Sequence, residues 1–357
     1  MTSSPETSDW GERADALQSA LTSSFRSRLA RGRYRRLARP RLLGAHGFDY
    51  WWIANLVEAR LDAVDRGDAA LAPPAAEAFE YARRRSRGLV VDYFDDMGWM
   101  ALAALRLGRL DDATKLWEEI VGSAWNDTHG PSACWRRQQP TYKNAPTNGL
   151  LALLSLRLHA ATGAERYLTT GHEALAWLDS TLRLPSGVLV DGIDRSGDGR
   201  VDTGWVFSYN QGLYVGALVE EFDRTGDATR LEEAARTASA YLALAAPDGV
   251  IRGEEARPGP GGGDAGLFKG VFVRYLVRLV LRMPKGSERE RLRAWIDSST
   301  EAMWLSLRRP RMLAVDTWEP CATDLEPRRG PVFLSTQLSA VIGAEARALL
   351  SGSAEPA

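Results

Sequence analysis

Two adjacent carboxylates, Asp95 and Asp96, stand in the string Val91-Asp92-Tyr93-Phe94-Asp95-Asp96-Met97-Gly98-Trp99. An apolar run of helical period follows, so the pair opens a helix. Asp is favoured at a helix start and suits the positive end of the dipole. The pair also meets a chemical requirement. Retaining glycosidases need two carboxyls about 5–5.5 Å apart, one as nucleophile and one as acid/base. Neighbours at a helix start can fork to that separation. Their mutual repulsion splits the two pKa values, so that one stays protonated and one ionised near neutral pH. Phe94 and Trp99 beside them offer apolar surface to a sugar ring.

Further strings place polar groups at predicted helix starts. Lys143-Asn144, with Tyr142 before and Asn148 after, can hydrogen-bond sugar hydroxyls, and Lys143 can hold a carboxylate ionised. Capping by Asn144 or Thr147 is the plainer reading. Tyr209-Asn210-Gln211-Gly212 gathers donors and acceptors at one helix end, and Gly212 allows close approach of a ligand or a backbone. Lys269 falls inside an apolar stripe, where it either snorkels or meets a buried partner, an Asp near the cleft being the candidate. The run Asp194 to Asp202 resembles the start of a calcium loop. Trp205 stands where the bidentate Glu belongs, so a polar turn is the expected reading.

These residues need elements to position them. Helical periodicity marks twelve stretches: 10–31, 47–66, 73–87, 95–107, 111–123, 143–161, 164–181, 209–225, 227–245, 264–282, 287–307 and 333–350. Tight Gly or Asp turns follow the even-numbered ones, which makes antiparallel neighbours. The long connections 124–142, 182–208, 246–263 and 308–332 precede even-numbered ones. All long loops then fall on one rim, where function is expected. The fold class that follows is all-α: an (α/α)6 barrel of six inner and six outer helices. Within the 187–206 loop, alternating segments at 187–190 and 200–202 read as a small β-hairpin. Residues 1–42 form an Arg-rich helical lead-in, 43–351 the barrel domain and 352–357 a disordered tail.

Composition limits the partners. The chain has 357 residues, 45 Lys+Arg against 46 Asp+Glu, and a formal net charge of -1. That balance excludes a global attraction to nucleic acid or an anionic membrane. Arg26 to Arg41 is a local exception, with many Arg and no acid, and reads as a solvated helix face. Apolar runs are too short for a membrane span. No apolar stretch follows a basic start within residues 1–41, so a cytoplasmic protein is expected. Cys134 and Cys321 make no disulfide framework. The four His show no metal spacing, and no cofactor or metal is expected. Seven of the 12 Trp (51, 52, 99, 125, 135, 205, 318) fall near predicted inner-helix starts or rim loops, which suits ring stacking.

Taken in order, five strings resemble glycoside hydrolase family 76, the α-1,6-mannanases, across residues 50 to 350. They are Trp51-Trp52-Ile53-Ala54-Asn55, the Asp95-Asp96 string, Tyr142 to Leu150, Trp205 to Gly212, and Leu267 to Tyr275. The resemblance implies an (α/α)6 barrel and retaining hydrolysis of α-mannosidic bonds. It assigns Asp95 as nucleophile and Asp96 as acid/base. It places Trp52, Asn55, Trp99, Trp135, Lys143, Asn144, Asn148, Tyr209, Asn210, Gln211 and Lys269 around a mannose-containing oligosaccharide. Before Lys143 the family shows paired Trp, and here only Trp135 remains, which favours short oligosaccharides over long polymer. A sugar epimerase or unsaturated uronyl hydrolase on the same fold, or a non-catalytic glycan binder, are the other readings.

Overall fold

Apolar periodicity separates two kinds of helix. In Ala145–Thr162 nearly every side chain from Ala145 to Leu156 is buried. A helix apolar all round must lie between others. In Leu110–Ala124 only Ala113, Leu116, Trp117, Ile120 and Ala124 are buried, a single stripe at helical spacing. Such a helix covers the first kind and faces water. The computed structural model describes residues 9–38, 47–251, 254, 263–318 and 331–353.

Among these residues there are twelve α-helices: α1 Trp10–Phe25, α2 Tyr50–Asp65, α3 Ala72–Arg85, α4 Phe94–Arg106, α5 Leu110–Ala124, α6 Ala145–Thr162, α7 Glu165–Trp177, α8 Ser208–Thr225, α9 Ala228–Ala245, α10 Ala265–Arg282, α11 Ser287–Leu305 and α12 Leu334–Gly352. The even-numbered helices touch in sequence, and α12 returns to α2, which closes a ring. Helices α3, α5, α7 and α9 each pack on the inner helix before them, and α11 packs on α10 and α12. Helix α1 packs on α12 and is the twelfth member. The (α/α)6 architecture read from the loop lengths is the observed one. Helix α12 runs to Gly352, and residues 354–357 of the expected tail lie outside the described residues.

Glycines let the inner helices meet. A Cβ on Gly98 would sit 2.9 Å from Leu150 Cβ, on Gly149 3.0 Å from Leu213 Cβ, on Gly212 2.8 Å from Phe272 Cα, and on Gly270 2.6 Å from Ser339 Cα. Each contact joins one inner helix to the next. Gly212→Ala therefore pushes against backbone, and should destabilise by about 1–3 kcal/mol. Gly122→Ala, where a Cβ meets nothing within 4 Å in helix α5, should be neutral or raise stability by up to about 1 kcal/mol. Thermal melts of the two variants check the contrast.

Two expectations change. The first helix ends at Phe25, not near residue 31, because Arg26 turns extended and bridges to Tyr34. The Arg-rich run is therefore a folded-back turn rather than a helix face. Its remaining residues 39–41 lie outside the described ones. The loop 187–206 does fold into a small hairpin, but its first arm is 191–194 rather than 187–190: Asp194 N bonds Arg200 O and Asp202 N bonds Gly192 O, both at 2.8 Å, and Ile193 bridges to Val201. Gly192–Ile193 is also the last strand of a four-stranded antiparallel sheet, β1 Trp125–Asn126, β2 Ser132–Arg136, β3 Gln139–Asn144 and β4 Gly192–Ile193. Lys143 pairs with Ile193 across β3 and β4. The backbone groups of 192–193 find partners on the preceding long loop, which alternation within one segment cannot reveal.

Candidate active site

Asp95 and Asp96 occupy the first turn of α4, at the rim where the inner helices begin. Both line a cleft of about 1050 Å³. Asp95 Oδ1 accepts the Asp96 backbone N–H at 2.9 Å, which satisfies one free amide of the helix start. Its Oδ2 accepts the Trp135 indole N–H at 2.9 Å.

The ladder is irregular opposite that indole. Between the pairs Cys134–Lys143 and Arg136–Gln139 one residue of β2, Trp135, faces three of β3. Trp135 packs edge-on between Tyr93 and Tyr142, at centroid distances of 5.2 and 5.5 Å, which locks its ring.

Burial dominates the charge on the pair. It pushes Asp95 up to about 7, while the Trp135 indole and the backbone amides hold it back. Asp96 is pushed well above the usual carboxylate range by burial, then by Asp95, with Asp264 and Asp49 adding to it. The described residues give the Asp96 carboxylate no hydrogen-bond donor. Asp95 is thus the more readily ionised member of the pair, and Asp96 the one that holds its proton to higher pH. Asp49 itself is raised to about 6 by burial, against the pull of Arg36 at 3.0 Å.

Aromatic rings line the cleft. Trp51 stacks on Trp99 with centroids 5.8 Å apart, and Tyr209 stacks on Phe268 at 4.0 Å. Asp264 accepts both the Trp51 and the Trp52 indole N–H, at 2.9 and 2.8 Å. On the other side, Asp191 is buried and accepts from Tyr142 and Asn210, each at 2.9 Å, and from Arg195. Arg195 lies over the Tyr142 and Trp205 rings and also bonds Asp202 at 2.9 Å.

The structure divides the residues singled out by sequence. Asp95, Asp96, Trp99, Trp135, Asn144, Tyr209 and Lys269 line the cleft. Trp52, Asn55, Lys143, Asn148, Asn210 and Gln211 do not, and each has a structural task instead. Lys143 is fully buried, with its ammonium on the carbonyls of Asn126 and Gly130, both at 2.6 Å. Burial lowers it to about 8. It pins the turn between β1 and β2 rather than a sugar or a carboxylate. Asn148 joins β2 to α6 by exchanging two hydrogen bonds with Ala133, both 2.9 Å. Gln211 does the same with Leu189, at 2.9 and 2.7 Å. Asn210 stands behind Asp191. Asn55 bridges the Trp51 carbonyl and Arg274, and Trp52 turns inward onto Asp264. Lys269 reaches the carbonyls of Ile251 and Asp316. Asn144 caps α6 through Thr147 N at 3.2 Å.

Trp51, Asp191, Arg195, Glu254 and Asp264 also line the cleft. Sequence reasoning missed their roles. An acid closing the apolar run Val188-Leu189-Val190 was the signal for Asp191, and an Asp just ahead of α10 the signal for Asp264.

The 194–202 turn uses its carboxylates internally. Asp194 Oδ1 accepts from Gly199 N at 2.7 Å, with His129 3.4 Å from its other oxygen, and Asp202 holds Arg195. Among the described residues no group of three or more His, Cys, Asp or Glu is arranged to hold a metal. Cys134 is buried and free, and Cys321 lies outside the described residues.

Comparison with known proteins agrees with this arrangement. The family model described as Glycosyl hydrolase family 76 matches residues 50–341. A Listeria innocua protein of known structure is 31% identical, covers 96% of this chain and 98% of its own, and superposes with a TM-score of 0.87. An α-1,6-mannanase from a Salegentibacter species is 32% identical over 96% of this chain and 100% of that one, with a TM-score of 0.85. The mannan endo-1,6-alpha-mannosidase of Saccharomyces cerevisiae is 25% identical over 169 residues, which is 45% of this chain and 36% of the yeast protein.

Proposed function

This chain belongs to glycosyl hydrolase family 76, and from that premise we propose that it hydrolyses α-mannosidic bonds, α-1,6 among them, with retention of configuration. One observation carries the reading: two adjacent carboxylates in an aromatic cleft, one of them held by an indole N–H and a backbone N–H. A variant of the Salegentibacter enzyme with two adjacent aspartates changed to asparagine is described as inactive, and it was captured with α-1,6-mannotriose.

In the first step a carboxylate oxygen of Asp95 attacks the anomeric carbon as the glycosidic C–O bond breaks. Asp96 gives its proton to the leaving oxygen. In the second step Asp96, now ionised, takes a proton from water. That water attacks the anomeric carbon and releases Asp95. The indole of Trp135 favours the ionised nucleophile before attack and holds its carboxyl in place. A cleft of about 1050 Å³ suits a short oligosaccharide.

The direct test is product analysis on a length series of α-1,6-manno-oligosaccharides, with the anomer of the first product read by NMR. No turnover of any α-mannoside would end the proposal, and an inverted first product would end its mechanism. A uronyl hydrolase is disfavoured because seven carboxylates, Asp49, Asp95, Asp96, Asp191, Glu254, Asp264 and Asp316, line the cleft against Arg195 and Lys269. An epimerase is disfavoured because, of the described His, none lines the cleft.

Trp135→Phe tests the proton assignment. It removes a hydrogen bond to a charged group, worth about 1.5–3 kcal/mol. That bond favours the ionised form, so its loss raises the Asp95 pKa. The acid limb of the kcat/KM profile should move up by about one to two pH units. An unmoved limb would show that Asp95 is not the ionised partner.

A further inference from the structure

The Arg-rich run, unused by the site, builds a surface on the same rim. The chain folds back after α1, with Ser27 N bonded to Arg33 O at 2.8 Å and Leu29 N to Ser27 Oγ at 3.2 Å. At the tip Leu29 is 98% exposed, with Arg28 and Arg31 exposed on either side. The turn thus presents an exposed aliphatic flanked by arginines, the combination that an anionic lipid interface takes up.

This tip is continuous with the end of α3. Arg31 and Arg26 both bond Glu77, at 2.9 and 2.7 Å, and the turn packs on Tyr81 through Gly32. Arg84 lies seven residues beyond Glu77 and returns to the same helix face, with Arg85 beside it. Arg84, Arg85, Arg87 and Val90 are exposed. No carboxylate among the described residues pairs with Arg28, Arg84, Arg85 or Arg87. The segment is tied to the cleft, because Tyr50 Oη donates to Leu89 O at 2.7 Å and the next residue, Trp51, lines the cleft. A formal net charge of -1 thus conceals an acidic cleft beside a basic rim.

We propose that this rim, Leu29 with Arg28, Arg31, Arg84, Arg85 and Arg87, docks on an anionic lipid surface and turns the cleft mouth toward it. Leu29 enters the headgroup region while the arginines meet lipid phosphates. A soluble polyanion would use the arginines but gives the exposed leucine nothing to do, which is why the lipid surface is the better fit.

Sedimentation with vesicles tests this in the full chain. Vesicles of phosphatidylcholine with phosphatidylglycerol should bind it, vesicles of phosphatidylcholine alone should bind far less, and high salt should release it. Arg84→Ser with Arg85→Ser should weaken binding on the order of tenfold or more. Leu29→Ser should weaken it roughly tenfold. Both variants should melt like wild type and keep its turnover of a soluble oligosaccharide. Absence of binding, binding that ignores lipid charge, or variants that bind as wild type would overturn the proposal. So would capture by soluble polyphosphate with no binding to vesicles. Sedimentation needs no catalysis, so its outcome is separate from that of the proposed activity.

Discussion

Asp95→Asn should leave a folded protein whose kcat has fallen by about 10⁴-fold or more, because the amide cannot form the glycosyl intermediate. Asp96→Asn should differ in kind. It loses the proton donor, so turnover of oligosaccharides collapses. An aryl mannoside whose phenol leaves without help should still load the enzyme, and the intermediate should then accumulate as a burst. Steady-state kinetics with both substrates, plus mass spectrometry of trapped protein, separate the two roles. Equal losses on both substrates for both variants would mean that the carboxylates are not divided as the hydrogen bonds divide them.

The same substitutions should raise stability at neutral pH. Both acids have native pKa values above their unfolded ones. The folded state therefore holds more protons between about pH 4 and 7, and its stability falls as pH rises through that window. Asparagine removes the titration, so a melt of Asp95→Asn should exceed wild type more at pH 8 than at pH 4. Stability given up for catalysis is a common exchange at such sites.

The second large effect concerns the barrel interior. Asp62 accepts from Arg106 at 2.7 Å and from Arg274 at 2.9 Å, and Arg274 also reaches Asn55. Burial alone would raise this acid, but the two guanidiniums hold it at about 2. Removing Arg274 leaves a largely buried carboxylate with one partner, so Arg274→Ala should cost about 3–5 kcal/mol. The sign with pH is the opposite of that for the Asp pair. A depressed acid contributes above its unfolded pKa near 4, and loses that contribution as pH falls toward 2. Denaturant melts of Arg274→Ala and wild type should therefore differ by less at pH 2 than at pH 7. A gap independent of pH would point to lost packing alone.

The fold was legible because loop lengths alternate. Long connections before every second helix from α6 onward left only one rim, with the even-numbered helices side by side beneath it. The place of the Asp95-Asp96 pair in the cleft was legible because it is local: two acids, one helix start. What escaped was whatever depended on pairing between distant loops. The alternation at 187–190 was real, yet its acid, Asp191, acts because Tyr142, Arg195 and Asn210 converge on it from three segments. Lys143 carried the right character for a ligand residue, a rare cation at the rim. Two carbonyls from a turn made thirteen and seventeen residues earlier captured it. Trp52 and Trp51 differ only in helix phase, and a shift of one residue decides which indole faces the cleft. Polar side chains at helix starts looked alike in sequence, and only tertiary contact separated the cleft-lining ones from the struts.

The pairing of α1 with α12 bears on how the molecule is made. Gln18 in α1 bonds Glu345 in α12 at 2.9 Å, and the strip 36–38 bonds 332–334 beside the cleft. Synthesis delivers α1 long before α12. Until α12 arrives, α1 waits with its apolar stripe uncovered, and the ring stays a crescent open between α2 and α10. Contacts of such long sequence separation form slowly. The nascent barrel is thus most exposed to aggregation just before α12 emerges. The same adjacency brings the ends of the described fold together, so a linker could join them and the barrel be reopened at an outer turn such as Gly108.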